Sequence, residues 1–175
     1  SSENWLRPQQ EVRMLMSLFS AALEKWCVPL KEAGVVLKVI GDRTAFSGDL
    51  NRVITYVEKE TASGERMVLN VAANYGGRWD MLQAAQRVVD AGLAMTAENL
   101  ERYLAVPNVD LLIRTGGECR VSNFLLYQSA YAEMYFTDRL WPEFGADDLH
   151  AALAWYQGRE RRFGRTSEQL QQKAA

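Results

Sequence analysis

The residues best suited to chemistry stand close together in residues 110–126, the segment DLLIRTGGECRVSNFLL. Arg114 and Arg120 flank a pair of glycines, and Ser122 follows two positions later. Guanidinium groups carry planar sets of donors that match phosphate oxygens, and glycine lets the backbone approach a ligand closely. These residues predict a site for an anion of the size of a diphosphate. The alternative is a surface turn in which the arginines pair with nearby carboxylates.

The elements on either side decide how such a site would form. Residues 109–113 are an apolar run typical of a strand, and residues 123–131 have the pattern of a helix. The free N–H groups of a first helical turn point outward, and the helix dipole adds partial positive charge. The succession of strand, glycine-bearing loop and helix therefore predicts an anion held at the carboxyl edge of an α/β sheet.

The rest of the chain alternates between these two patterns. Helices are predicted in residues 8–34, 50–57, 79–91, 96–104 and 146–157, and strands in residues 35–40, 67–73 and 134–136. Residues 67–73 are almost wholly apolar, as expected of a buried parallel strand. The alternation predicts an α/β fold in which a mostly parallel β-sheet is flanked by helices.

Composition and charge narrow the class of protein. The 175 residues, 48% hydrophobic and 24% charged, predict one globular domain over residues 1–164 and a polar, disordered tail at residues 165–175. The net charge of −2 argues against a nucleic-acid-binding domain. Cys27 and Cys119 have no metal-like spacing, so a reduced setting is expected. With His150 as the single histidine, a His-rich metal site is excluded.

Two polar clusters border predicted elements. Residues 1–8, SSENWLRP, precede the first helix, where they suit either a charged ligand or simple capping of the helix. Residues 74–80, NYGGRWD, repeat the succession of strand, glycine turn and helix. A tight turn needs glycines in any case, and Asp80 is a residue type favoured in a first helical turn. Each cluster therefore leaves a functional and a structural interpretation open.

Charged residues in the last third of the chain are further candidates. Glu133 precedes an apolar strand, so it either pairs with an arginine or binds a metal. A nearby diphosphate favours the metal, because Mg2+ prefers carboxylate and phosphate oxygens. Arg159, Arg161 and Arg162 follow the last predicted helix, where they either complement its dipole or reach the anion site of a partner.

These motifs, in this order, resemble those of the cis-prenyltransferase family. The matching segments cover nearly the whole chain: SSENWLRP, NYGGRWD, DLLIRTGGECRVSNFLLYQSAYAEMYF, LWPEF and RERRFG. The resemblance implies an enzyme that adds isopentenyl diphosphate units in cis to an allylic diphosphate, usually farnesyl diphosphate, with Mg2+ as cofactor. Its polyprenyl diphosphate product would be the lipid carrier precursor for bacterial cell-wall glycan synthesis. The resemblance also implies a homodimer in which Arg162 and Gly164 complete the site of the partner.

The resemblance assigns a role in diphosphate binding to the glycine-bearing loop. Arg114, Arg120 and Ser122 are expected to grip the isopentenyl diphosphate. Glu133 is expected to help hold Mg2+. The interpretation of this loop as an anion site thereby gains a specific ligand.

The same resemblance gives the first residues a place beside the reacting carbons. Ser1 and Asn4 are expected to be catalytic and to help move the proton. Trp5 is expected to position substrate, and Arg7 to face a diphosphate. Helix capping is the structural alternative for this segment.

A growing polyprenyl chain requires a long apolar tunnel between the sheet and the helices. The candidates are Leu15, Leu18 and Phe19 on the first helix, and Met67 on the facing strand. Periodicity alone would assign these residues to the core. Their role in a tunnel therefore comes from the resemblance.

The sequence departs from the family pattern in several places. The family has an N-terminal segment, with an Asp-Gly-Asn-Gly-Arg loop that binds Mg2+ and the allylic diphosphate, which this sequence lacks. We therefore expect an N-terminally truncated chain that is poorly active by itself. Cys119 stands where bacterial members often have histidine, and Tyr127 where tryptophan is common.

Two other functions remain open. A non-catalytic partner subunit of the same fold would dimerise with an active chain, although such subunits tend to lose the catalytic loops that are present here. A general diphosphate-binding module would have a short polar pocket in place of an apolar tunnel. For the synthase we expect a cytoplasmic location, with transient contact at the inner membrane face for product release.

Overall fold

The computed structural model describes residues 1–162 and residue 166. By its internal contacts the chain divides into two compact units, Ser1–Val106 and Pro107–Ala175. Each unit contains one pair of parallel strands. The α/β class with parallel strands and helices is confirmed, although the described strands form two pairs and not one sheet. The prediction of one domain over residues 1–164 stays a prediction.

The first unit begins with a short 3-10 helix, Ser2–Leu6, and then alternates helices with strands. Its longer elements are α1 (Gln9–Glu32), β1 (Val35–Ile40), α2 (Gly48–Thr61), β2 (Met67–Ala72), α3 (Gly77–Asp90) and α4 (Ala97–Tyr103). Helix α1 starts directly after Pro8 and ends before Gly34, whose φ of +70° favours glycine. The predicted boundaries of the first helix and the first strand are therefore confirmed closely.

The core of the first unit lies where α1 and α2 cover β1. Its buried residues come from both helices, the strand and the loop between β1 and α2: Leu23, Cys27, Leu37, Val39, Phe46, Leu50, Ile54 and Val57. On α2, the buried positions recur three and four residues apart, which is the pattern of a helix with one apolar face. This packing fixes the carboxyl end of β1.

Strand β2 is less buried than its composition predicts. It pairs with β1 from Val35 opposite Met67 to Ile40 opposite Ala72. Its first half is nevertheless exposed, with 53% of Met67 and 51% of Val68 accessible. The prediction of a buried strand is wrong for this half, because β2 has no second neighbouring strand within the described residues.

The second unit contains β3 (Leu111–Arg114), β4 (Glu133–Phe136) and α5 (Ala146–Gln157). The two strands run parallel, with Leu111 opposite Glu133 and Arg114 opposite Phe136. The ring of Tyr135 in β4 lies edge-on to that of Trp155 in α5, with 5.4 Å between centroids. Helix α5 has the predicted bounds.

The helix predicted at residues 123–131 is wrong, since this stretch is a series of turns. Ser122, Asn123 and Leu125 have left-handed φ values of 49°, 60° and 45°. Such residues interrupt the regular backbone hydrogen bonding of a right-handed helix. The N-terminal turn that was expected to bind an anion is therefore not formed.

Residues 163–165 and 167–175 lie outside the described residues, and with them Gly164 and almost all of the predicted tail. Within the described part of the chain, no helix is both long enough and apolar enough to cross a membrane.

Candidate active site

Three of the predicted diphosphate ligands meet in the loop that follows β3. Arg114, the last residue of β3, donates from Nη1 to Ser122 Oγ at 3.1 Å and also to the carbonyl oxygen of Arg120. Arg120 itself forms an ion pair with Glu118 across the loop. The Arg114 guanidinium and the Ser122 hydroxyl are thus brought together, which is donor chemistry that suits phosphate. The Arg120 guanidinium instead pairs with a nearby carboxylate, as the alternative of a surface turn predicts for it.

The glycines of this loop serve the fold more than the ligand. The Gly116 N–H donates to the Arg139 carbonyl at 2.8 Å, and the Gly117 N–H donates to the Thr137 carbonyl at 3.0 Å. Thr137 N donates in turn to the Arg114 carbonyl at 3.0 Å. The turn after β4 therefore fixes the shape of the loop, and an anion would be bound by side chains. Sequence reasoning missed Thr137 and Arg139, because they act through backbone atoms.

Glu133 lies at the other end of the strand pair. It is the first residue of β4 and stands opposite Leu111, whereas Arg114 stands opposite Phe136. Three residues of strand separate the two positions, about 10 Å along the strands. The carboxylate accepts from Arg159 Nε at 3.1 Å, and the Arg159 guanidinium lies 5.2 Å from the centroid of the Trp155 ring.

The basic segment after α5 is held beside the same strand ends. Arg161 forms an ion pair with Asp110, which precedes β3, and donates to the Tyr156 hydroxyl at 3.2 Å. Arg162 pairs with Glu160 at 2.9 Å. Glu133 and Asp110, with their partners Arg159 and Arg161, therefore form a charged cluster at the amino ends of β3 and β4.

A metal could be held only in part by the residues described. No group of three or more histidine, cysteine, aspartate or glutamate side chains is close enough together, in the part of the chain the structure describes, to enclose a metal ion. Mg2+ is usually bound by one or two carboxylates together with phosphate oxygens and water. Glu133 would suit the place of one such ligand if its ion pair with Arg159 opened, and a bound phosphate would then supply further oxygens.

The first residues of the chain are attached to the loop that follows β2. Ser2 N donates to the Tyr75 carbonyl at 3.0 Å, and Trp5 Nε1 donates to Asn74 Oδ1 at 2.5 Å. Ser1 Oγ contacts the Glu3 carboxylate and accepts from Glu3 N at 3.3 Å. Capping of the short 3-10 helix by Ser1 is therefore present alongside any catalytic role.

Arg7 follows this segment and is held on its own helix. Its Nη1 lies 2.7 Å from Glu11 Oε1, one helical turn onward, and about half of each side chain is exposed. An ion pair of this kind contributes little to stability, because water screens it. The Arg7 guanidinium is therefore available to an anionic ligand.

An apolar pocket of about 210 Å3 opens beside Ser1, Asn4 and Trp5. Its walls come from α1 and from the end of β2: Val12, Leu15, Met16, Phe19, Val71, Ala72, Ala73 and Asn74. Leu15 and Phe19 of the predicted tunnel are among them. Leu18 and Met67, at 60% and 53% exposure, do not line it. The pocket thus has polar groups at one end and hydrocarbon walls at the other.

The carboxylates near the ends of β1 and β2 have structural partners. Asp80 is fully buried and accepts from the Tyr75 hydroxyl at 2.7 Å, from Gln83 Nε2 at 2.8 Å and from Ala105 N at 3.0 Å. Asp42 accepts from the Thr44 hydroxyl at 2.6 Å and from Thr44 N at 2.9 Å, and these bonds hold the pKa of Asp42 below its usual value. The structural interpretation of Asp80 is supported.

The candidate residues therefore fall into two groups. Ser1, Asn4, Trp5 and Arg7 belong to the first unit, and the residues around Arg114 and Glu133 belong to the second. In the first group, Trp5 is bonded to Asn74 just after the carboxyl end of β2. In the second group, Arg114 stands at the carboxyl end of β3. In α/β sheets, that edge is where ligands bind.

Comparison with known proteins shows which family the chain belongs to. A family model described as putative undecaprenyl diphosphate synthase matches residues 1–164. An isoprenyl transferase of Nitrosomonas europaea is 51% identical over 177 residues, which cover 97% of this chain and 67% of that protein. A ditrans,polycis-undecaprenyl-diphosphate synthase of Vibrio vulnificus, (2E,6E)-farnesyl-diphosphate specific, is 47% identical over 180 residues, covering 97% of this chain and 72% of that protein.

Solved structures agree with the sequence comparison. A probable undecaprenyl diphosphate synthase from Campylobacter jejuni superposes with a TM-score of 0.90 at 34% identity, covering 94% of this chain and 79% of that one. Lavandulyl diphosphate synthase from Lavandula x intermedia, in complex with dimethylallyl diphosphate, gives 0.86 at 34% identity over 93% and 75% of the two chains. The chain is a cis-prenyltransferase and belongs to the undecaprenyl diphosphate synthase family.

Proposed function

We propose that this protein makes a polyprenyl diphosphate by adding isopentenyl diphosphate units in cis to an allylic diphosphate such as farnesyl diphosphate. The observation that carries the proposal is the contact that Arg114 makes with the Ser122 hydroxyl and the Arg120 carbonyl on one loop. The product would be the lipid carrier precursor for bacterial cell-wall glycan synthesis, as the names of relatives that are undecaprenyl-diphosphate synthases suggest.

The residues of the loop bind and orient the diphosphate of the incoming unit. Each charge-assisted hydrogen bond from Arg114 or Arg120 contributes about 1.5–3 kcal/mol. Holding the diphosphate fixes where the reacting alkene lies, which lowers the entropic cost of bringing two substrates together. Ser122 adds a hydroxyl donor that Arg114 already orients.

The first residues act at the other reactant. The apolar pocket accepts the hydrocarbon of the allylic substrate, with Ser1 and Asn4 at its polar end. These two side chains help to pass the proton that the condensation releases to the departing diphosphate, and Trp5 positions the substrate. Arg7 faces the diphosphate that leaves.

Mg2+ is the cofactor we propose, with Glu133 as one of its ligands. When bound, the ion neutralises charge on the departing diphosphate. Glu133 is exposed enough for this role, with 22% of its side chain accessible.

We also propose a homodimer. The support is the position of Glu133 and its neighbouring arginines at the amino ends of β3 and β4, away from the Arg114 loop. A second copy would bring that cluster, with Arg162 and Gly164, to the loop of its partner.

We propose a cytoplasmic location for the enzyme. Because the product is a lipid, we also propose that the enzyme contacts the inner membrane face transiently during release.

The test is product formation by the full-length protein with farnesyl diphosphate, labelled isopentenyl diphosphate and Mg2+. We expect long polyprenyl diphosphates, and we expect Arg114→Ala to reduce the rate at least about a hundredfold, since about 3 kcal/mol of binding is lost. Arg52→Ala is the matched control, because Arg52 is an exposed arginine paired with Asp49 on α2.

The outcomes separate the candidate functions. A folded dimer that binds farnesyl diphosphate without forming product would indicate a non-catalytic partner subunit. Binding of inorganic diphosphate with no preference for a prenyl chain would indicate a general diphosphate-binding module. The apolar walls of the pocket argue against that module.

A further inference from the structure

We propose that Asn74 is a positioning residue whose side-chain amide fixes the first residues of the chain, through Trp5, at the polar end of the apolar pocket. The inference rests on the proposed function, since it takes Trp5 to position the prenyl substrate. Asn74 also lines the pocket, beside Trp5 and Asn4.

Both ends of the Asn74 amide are used. Asn74 Oδ1 accepts from the Trp5 indole at 2.5 Å, and Asn74 Nδ2 donates to the Asp42 carbonyl at 2.7 Å. Asparagine suits this place because it is short and offers a donor and an acceptor together. The amide therefore joins the first residues of the chain to the loop that follows β1.

The backbone holds Asn74 in the orientation that these bonds require. Its φ is +50°, a left-handed conformation that asparagine tolerates better than most residues. Asp42 N donates to the Asn74 carbonyl at 3.1 Å, and Ala73 N donates to the Ile40 carbonyl at 2.9 Å. These backbone hydrogen bonds between the loops after β1 and β2 thus hold Asn74 in place.

The segment that Asn74 holds has little packing of its own. No residue of the 3-10 helix Ser2–Leu6 is buried. The Trp5 ring has a tilted contact with Phe46, with 6.4 Å between centroids, and 37% of Trp5 is exposed. Because burial contributes little, the hydrogen bond to Asn74 has a large share in fixing the indole ring.

The central variant is Asn74→Gly in the full-length protein. Glycine keeps the left-handed backbone and removes both side-chain hydrogen bonds. We expect the dissociation constant of farnesyl diphosphate to rise about tenfold, because Trp5 is no longer held in the binding geometry. The indole 15N–1H signal of Trp5, identified by its loss in Trp5→Phe, should shift.

Two comparisons separate positioning from general destabilisation. Asn74→Asp keeps an acceptor for the indole and tolerates the same backbone but loses the donor to the Asp42 carbonyl, so its affinity should lie between those of wild type and Asn74→Gly. In a Trp5→Phe background, Asn74→Gly should cost less than about twofold, because the shared hydrogen bond is already absent. Asn108→Gly, at an exposed loop position, is the matched control and should leave the affinity unchanged.

The result that would overturn the inference is an unshifted Trp5 signal, or equal effects of Asn74→Gly with and without Trp5. Failure of the proposed function would be a different observation, namely that the wild-type protein forms no polyprenyl product. Affinity for farnesyl diphosphate and the Trp5 signal still report on Asn74 in that case.

Discussion

Asp80 shows how a residue inside a functional motif can serve the fold. Its carboxylate is fully buried and accepts from Tyr75, Gln83 and the backbone of Ala105. Through these bonds it joins the turn after β2 to the segment after α4. Removing the Asp80 carboxylate would leave several donors without an acceptor, and each unpaired buried donor costs free energy.

We therefore expect Asp80→Ala to lower the free energy of unfolding by about 3 kcal/mol. Asp90→Ala is the control on the same helix, since Asp90 is exposed and should change stability by less than about 0.5 kcal/mol. Urea-induced unfolding followed by circular dichroism measures both. A loss below about 1 kcal/mol for Asp80→Ala would show that these hydrogen bonds contribute little.

Residue types and spacing predicted that the members of the Arg114 loop lie near one another, because they stand within nine positions in the sequence, whereas their role in binding stays a prediction. Arg114 and Ser122 do form a direct contact. The role of Asn74 was not predictable in this way, since its two partners are 69 and 32 positions away in sequence. The pairing of β1 with β2 brings Asp42 beside Asn74, and the hydrogen bond from Ser2 N to the Tyr75 carbonyl brings Trp5 there.

At the scale of elements, the glycine after β1 controls how closely two loops approach. Gly41 has a φ of +124°, and a Cβ added there would lie 2.1 Å from the Ala73 carbonyl oxygen. Neither the backbone conformation nor the space suits any other residue. The loop after β1 therefore reaches Asn74 only because position 41 is glycine.

We expect Gly41→Ala to lower the free energy of unfolding by about 3 kcal/mol, from backbone strain and the clash with Ala73. Gly48→Ala is the matched control, because a Cβ at this first residue of α2 meets nothing within 4 Å. Thermal unfolding of the two variants gives the comparison. Equal melting temperatures would mean that the two loops can separate without cost.

The elements that sequence patterns predicted best are those with a strong local signal. Helix α5 has one apolar stretch and clear ends, and β1 is bounded by Gly34 and Gly41. The stretch after Ser122 has a helical apolar pattern, yet left-handed residues at its start turn the chain elsewhere. The spacing of apolar residues does not predict left-handed conformations at residues other than glycine.

At the scale of the whole molecule, the position of Glu133 has consequences for how a complete site is built. Arg114 and Glu133 stand at opposite ends of one parallel pair, so one chain does not bring them to the same end. In a two-fold dimer, the cluster of one copy can meet the loop of the other. Each active site would then draw Arg114 from one copy and Glu133 from its partner.

Mixed dimers test this arrangement. In a heterodimer of one Arg114→Ala chain and one Glu133→Ala chain, sharing between copies leaves one site with both changes and one intact. We therefore expect about half of the wild-type rate, although each parent homodimer is nearly inactive. Differently tagged chains, coexpressed and purified in tandem, provide this species, and polyprenyl diphosphate formation is the measurement.

The control dimer carries both substitutions on one chain, which is paired with a wild-type chain. If residues are shared between copies, this places one change in each site, and the control should be nearly inactive. If the control is active and the dimer with one substitution on each chain is not, Glu133 acts on the loop of its own chain. The geometry of the strand pair must then change when substrate binds.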